Sequence, residues 1–248
     1  MQKDDLKNFL QKEYVKKFDC RLRFLIDKYT VEAIVKSIVQ WLREGNVNYC
    51  DATTFARDFY IGSDLTLLEK KRFYRALKKE NFFELLETFL YSDIFFVCSW
   101  TIYTIGKFSE PENAKLLEIA YETTYKGKNP LLAYRCLSEL NWLESAKVEY
   151  YLAELEHTNT IAAKLIQLYY YSHRVGCDSK TNALLKNKEF RQLLAPNETA
   201  PDYTKNKKII DKLFPFELYL TKLYNNSKNI YINNFDSIVK NYFDSIDV

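Results

Sequence analysis

The chain has 248 residues, 47% of them hydrophobic and 28% charged, with a formal net charge of +3. Those values describe a globular chain with a sizeable core and argue against collagen, disorder or a disulfide framework. Only 5 glycines and 5 prolines stand beside 20 tyrosines and 17 phenylalanines, which argues against turn-rich all-β and α/β folds and for an all-α one.

The N-terminus, Met1-Gln2-Lys3-Asp4-Asp5, has no apolar stretch of the kind a secretory leader needs. No apolar run anywhere reaches the roughly 18–20 residues of a membrane span, so no membrane partner is expected. Cys20, Cys50, Cys98, Cys136 and Cys177 are odd in number, scattered and never in a C-x-x-C pair. They read as reduced thiols, and the cytoplasm is the expected compartment.

Helix starts and stops follow in order. Thr30 precedes an amphipathic run with Ile34, Val35, Ile38, Trp41 and Leu42 on one face. Asp51, Ser63 and Asn81 sit where N-caps belong, and Asn81 has Glu84 three residues on. Ser109-Glu110-Pro111-Glu112 has capping-box spacing with an early proline, and Asn129-Pro130 supplies a cap and an N1 proline together. Gly45, Gly62, Gly106, Gly127 and Gly176 each fall where a run stops, while Pro196, Pro201 and Pro215 punctuate the C-terminal third. The pattern predicts about thirteen helices, joined by short connections into antiparallel hairpins.

Residues 98–105 align with residues 133–140 at an offset of 35, and Ala162–Leu168 repeats the pattern about thirty residues later. Each copy is read as a helix, a two- or three-residue turn and a shorter second helix, as in a helical solenoid. On these residues the chain resembles HEAT-like repeat proteins, most clearly over residues 92–175. The family's frequent proline kink in the first helix and its Asp/Arg turn ladder are missing. The resemblance implies an α-α superhelix whose second helices line a concave binding surface. One domain over residues 1–248 is expected, with residues 1–91 as N-terminal helices and residues 176–248 as capping helices. Phe235-Asp236-Ser237-Ile238 recurs as Phe243-Asp244-Ser245-Ile246, two turns apart, and is read as a docking cap helix.

No phosphate loop, dinucleotide fingerprint, zinc-helix motif or nucleophile elbow is present. His173 and Cys177 are four apart and could share a metal on a helix, but Gly176 breaks that helix and no second ligand pair is near. Glu118/Glu122, Glu149/Glu154 and Glu139/Glu144 are near neighbours on helices, and a solvated face explains them better than acid–base chemistry. No cofactor, metal or catalytic residue is therefore expected.

Charge is unevenly distributed. Between residues 110 and 156 nine glutamates face five Lys and Arg, a net of −4, while Lys3–Lys28, Glu69–Lys79 and Lys180–Lys212 hold the basic excess. An acidic centre is a poor track for a phosphate backbone and a suitable one for a basic protein. In the second helices Glu118, Glu122 and Tyr125, then Glu149, Tyr150 and Glu154, are expected at exposed positions. Consecutive aromatics such as Tyr150-Tyr151 and Tyr169-Tyr170-Tyr171 must spread around their helices, either packing between repeats or serving as interface anchors. The favoured expectation is a non-enzymatic protein-binding solenoid, most concretely a toxin-neutralising immunity protein or an assembly helper, with one basic protein partner. The alternative is a HEAT-like DNA glycosylase for alkylated bases, with Trp100, Trp142 and Asp93 in its groove. General nucleic-acid binding through the basic flanks is a third, less favoured expectation.

Overall fold

A computed structural model describes residues 23–44, 49–61, 65–108, 110–198, 206–227 and 234–246. Among the described residues there are fourteen α-helices, one π-helical turn and no strand, so the fold is all-α. The chain divides into two compact units, Met1–Ser92 with Val97–Asn113, and Asp93–Phe96 with Ala114–Val248.

The first unit is built from α1 (Arg23–Lys28), α2 (Val31–Arg43), α3 (Tyr49–Ile61), α4 (Leu67–Lys79), α5 (Phe82–Leu90) and most of α6 (Phe95–Lys107). Thr30 caps α2 as expected, its hydroxyl accepting from the Ala33 amide at 3.2 Å. Ile34, Val35, Ile38, Trp41 and Leu42 are all buried, and α2 packs on both α3 and α4. Phe55, Phe59 and Phe73 line up in the core with ring centroids 5.7 and 4.7 Å apart. Each such ring contributes roughly 1.5–3 kcal/mol of transfer free energy.

Several starts and stops differ from expectation. Asn81 does not cap α5 with its side chain; it lies in the left-handed region at φ 59°. Only Glu80 and Asn81 separate α4 from α5, so the chain must reverse at once, and Asn tolerates that backbone region best after Gly. The cap of α4 is Thr66, in a reciprocal capping box with Glu69. Asp51 lies inside α3 rather than before it, and Gly106 lies inside the last turn of α6. Gly45, Gly62, Ser63, Ser109 and Pro201 lie outside the described residues.

The second unit continues with α7 (Pro111–Ala120) from Ala114 onward, and the π-helical turn Tyr121–Tyr125. It goes on through α8 (Pro130–Trp142), α9 (Lys147–His157), α10 (Ile161–Ser172) and α11 (Asp178–Leu185). It ends with α12 (Lys188–Leu194), α13 (Asn206–Asn226) and α14 (Phe235–Asp244). Asn129 caps α8 through the Leu132 amide at 3.0 Å with Pro130 at the first helical position, as the sequence predicts. Gly127 and Gly176 take φ 72° and 83°, the left-handed stops their positions imply.

Helix α8 packs against the π turn, α9 and α10, and α10 packs in turn on α11, the neighbour-on-neighbour arrangement a helical repeat requires. The helices α6 and α8 are both 13 residues long and start 35 residues apart, matching the aligned segments. The second helix is not always shorter: α7 and its π turn together run from Pro111 to Tyr125. Helix α14 packs on α10 and α12 with Val239 and Phe243 as its buried anchors; of the duplicated Phe/Ile pairs only Phe243 is fully buried.

Candidate functional site

The second helices of the second unit carry the acids that the sequence singles out. Glu118 sits near the end of α7, and Glu122 sits in the π turn. Lys147, at the start of α9, reaches both: its ammonium lies 3.4 Å from Glu118 and 3.1 Å from Glu122. Glu118 also accepts from the Ser145 hydroxyl at 2.6 Å, and Glu122 accepts from the Tyr151 hydroxyl. The Tyr151 hydrogen bond, followed by that from Lys147, holds the Glu122 carboxyl below the usual carboxylate range. Burial, then the Glu122 contact, pushes the Tyr151 phenol up. Glu154 is paired with Lys126. Three of the predicted binding acids thus lace α7 and its π turn to α9.

Tyr125 departs from expectation altogether. It is fully buried, not exposed. The cause is the π turn: the Lys126 amide bonds the Tyr121 carbonyl at 2.8 Å, five residues back, which widens the turn and carries Tyr125 off the Glu118 face into the core. Tyr121 is buried with it and packs on Tyr151 at a centroid distance of 4.5 Å. Its hydroxyl has no hydrogen-bond partner among the described residues, and burial raises its pKa.

Tyr150 and Glu149 are exposed on α9, as expected. Tyr150 leaves 66% of its surface to solvent, and Trp142, the last residue of α8, leaves 63%. Both lie within a turn of the connection 143–146, so they stand at one tip of the α8–α9 hairpin. That connection is tight enough to hold Glu144 at φ 55°, a region which costs a non-glycine residue about 1 kcal/mol or more. Trp142 was the residue sequence reasoning assigned to another role. An indole at a helix end, followed across a short connection by a Tyr early in the next helix, is the signal that could have found the tip.

The aromatic groups nominated for base excision are differently placed. Trp100 donates from its indole nitrogen to Thr53 at 3.0 Å, and the Arg57 guanidinium lies over its ring at 5.6 Å. Its polar atom and part of its face are therefore engaged within the first unit. Asp93 is exposed. His173 donates from Nδ1 to the Tyr169 carbonyl at 2.8 Å and sits beside the Tyr134 and Tyr169 rings. Among the described residues no three His, Cys, Asp or Glu side chains gather as metal ligands.

The described helices include none long and apolar enough to cross a membrane. No family model matches the chain, and no curated protein or solved structure matches it either.

Proposed function

We propose that this protein is a non-enzymatic binding module, a HEAT-like helical repeat of a reducing compartment, that grips one basic protein. Its most concrete form is a toxin-neutralising immunity protein or an assembly helper. The observation that carries the reading is the tip of the α8–α9 hairpin. Trp142 and Tyr150 stay mostly in water there, whereas Tyr121, Tyr125, Tyr151, Tyr169, Tyr170 and Tyr171 are buried. Large aromatic rings left exposed at the two ends of one short connection are the side chains that dominate binding hot spots. Glu144 and Glu149, both exposed, flank them and supply charge that steers a basic partner. Glu118, Glu122 and Glu154 serve the reading differently from the way their spacing suggests. Held by Lys147 and Lys126, they make the second-helix surface rigid rather than strongly negative.

The test is a pull-down from the native host at moderate salt with the wild type and with Trp142→Ala/Tyr150→Ala. One stoichiometric basic protein is expected, with capture reduced at least tenfold in the double variant, since each hot-spot ring is worth about 2 kcal/mol. Recovery of nucleic acid alone, or equal capture by both proteins, overturns the proposal.

A further inference from the structure

Beyond the hairpin tip, the second unit holds a cavity of about 420 Å³ at the end of α9, walled by α10 and α11. That volume falls among small-molecule sites, roughly 300–1,000 Å³. On α10 the wall is Lys164, Gln167 and Tyr171, spaced three and four residues apart and hence on one face. Lys180 on α11, Asn159 and Thr158 before α10, and Asn187 after α11 add to the polar lining, with Glu156 at the end of α9.

Two features of this lining are not explained by packing. Gln167 is 98% buried, given a relative exposure of 2%, in a helix whose neighbours Leu165, Ile166 and Leu168 are core residues. Its amide nitrogen makes one long bond, 3.4 Å, to the Ala163 carbonyl, which already serves the helix. A buried amide with so little internal bonding has its remaining donor and acceptor available to whatever fills the cavity it lines. The second feature is the pair of lysines. Lys180 lies over the Tyr171 ring at 4.9 Å and Lys164 over the Phe190 ring at 6.0 Å. Among the described residues neither ammonium has a carboxylate partner. The only carboxylate in the lining, Glu156, accepts the Tyr171 hydroxyl at 3.2 Å.

We propose that this cavity binds a small phosphate monoester. Its phosphate sits between Lys164 and Lys180, which offer ammonium donors and no competing acceptor. Its uncharged part turns toward Glu156, Asn159 and Gln167, which accept from hydroxyl or amino groups and donate to carbonyl or ring-nitrogen acceptors. The single carboxylate, Glu156, repels a phosphate placed against it, which leaves the two lysines as the phosphate's seat. This site is independent of the hairpin tip and stands whether or not the partner-binding proposal holds.

The probes are inorganic phosphate, glycerol 1-phosphate and adenosine 5′-monophosphate, titrated into the full chain at matched ionic strength and followed by calorimetry and by side-chain amide NMR. Saturable one-to-one binding of at least one monoester is expected, with the Gln167 side-chain amide signals shifting. Lys164→Met/Lys180→Met should weaken binding at least tenfold, and Gln167→Leu should weaken it several-fold, with helical content unchanged in both. Failure of both esters to bind, or affinity that is unchanged in the lysine double variant, overturns the proposal. Saturable binding of inorganic phosphate alone, at tens of millimolar and insensitive to Gln167→Leu, also overturns it, as that would be an adventitious ion only.

Discussion

Arg191 is 2% exposed on α12 yet carries a full positive charge. It survives there because Nε and Nη2 donate to the two Glu198 oxygens at 2.7 and 3.1 Å, and Nη1 donates to Asn206. Asn206 passes the network on to Asn182 of α11 at 2.6 Å, so one guanidinium ties α11, α12 and α13. Removing one partner of such a pair leaves a buried charge uncompensated, which is worse than having neither. Glu198→Ala should therefore lower stability by about 3–5 kcal/mol in urea unfolding, and Arg191→Met/Glu198→Leu should recover most of it. A loss below about 1 kcal/mol from the single change would contradict the buried pairing. None of this was legible from spacing, because residues 191 and 198 are joined across a loop and not along a helix. Arg191 reads as part of a basic surface run, whereas its charge is neutralised inside. Thr30 and Asn129 were legible, because an N-cap is decided by three or four consecutive residues.

At the scale of the element, α13 shows a local signal losing to a longer one. Pro215 predicts a break, but the helix runs unbroken from Asn206 to Asn226. Ile209, Leu213, Phe216, Leu220 and Tyr224 are all buried along one face on both sides of the proline, and that burial outweighs the roughly 3 kcal/mol cost of the lost hydrogen bond and the ring clash. Pro215 itself is exposed. Pro215→Ala should stabilise the protein by about 1–3 kcal/mol, read as a higher urea midpoint with an unchanged slope. A lower midpoint would mean that the helix depends on the proline's geometry. The π turn is the same lesson reversed. An α-helical period places Tyr125 beside Glu118, and nothing in the sequence of residues 121–125 announces the five-residue bond that rotates it inward. Exposure was thus legible for Glu149 and Tyr150, which continue a regular helix, and illegible for Tyr125 at the irregular turn.

At the scale of the whole molecule, many of the described tyrosines, among them Tyr74, Tyr121, Tyr151, Tyr169 and Tyr224, are core residues. Burial pushes the Tyr134 phenol up to about 12, and raises Tyr121, Tyr151, Tyr169, Tyr171 and Tyr224 further. A phenol whose pKa is higher folded than unfolded gives stability that is complete below pH ~10 and is lost as pH rises through the folded value. Each such group costs about 1.4 kcal/mol per pH unit in that window. The last part of the rise in tyrosinate absorbance at 295 nm above pH ~10 should therefore coincide with loss of helical ellipticity; complete ionisation of the tyrosines with the helices intact would contradict the burial. The succession of short helices was legible because caps and amphipathic runs are local signals. The division into two compact units was not, since it falls inside α6 and α7, where no linker composition marks it. The most direct test of partner binding places a photo-crosslinking benzoylphenylalanine at Tyr150, with Tyr91 of the first unit, another exposed tyrosine, as a control position. The account predicts one covalent adduct with a single basic protein from position 150 and none from position 91. Crosslinks to nucleic acid, or the same adduct from both positions, would contradict it.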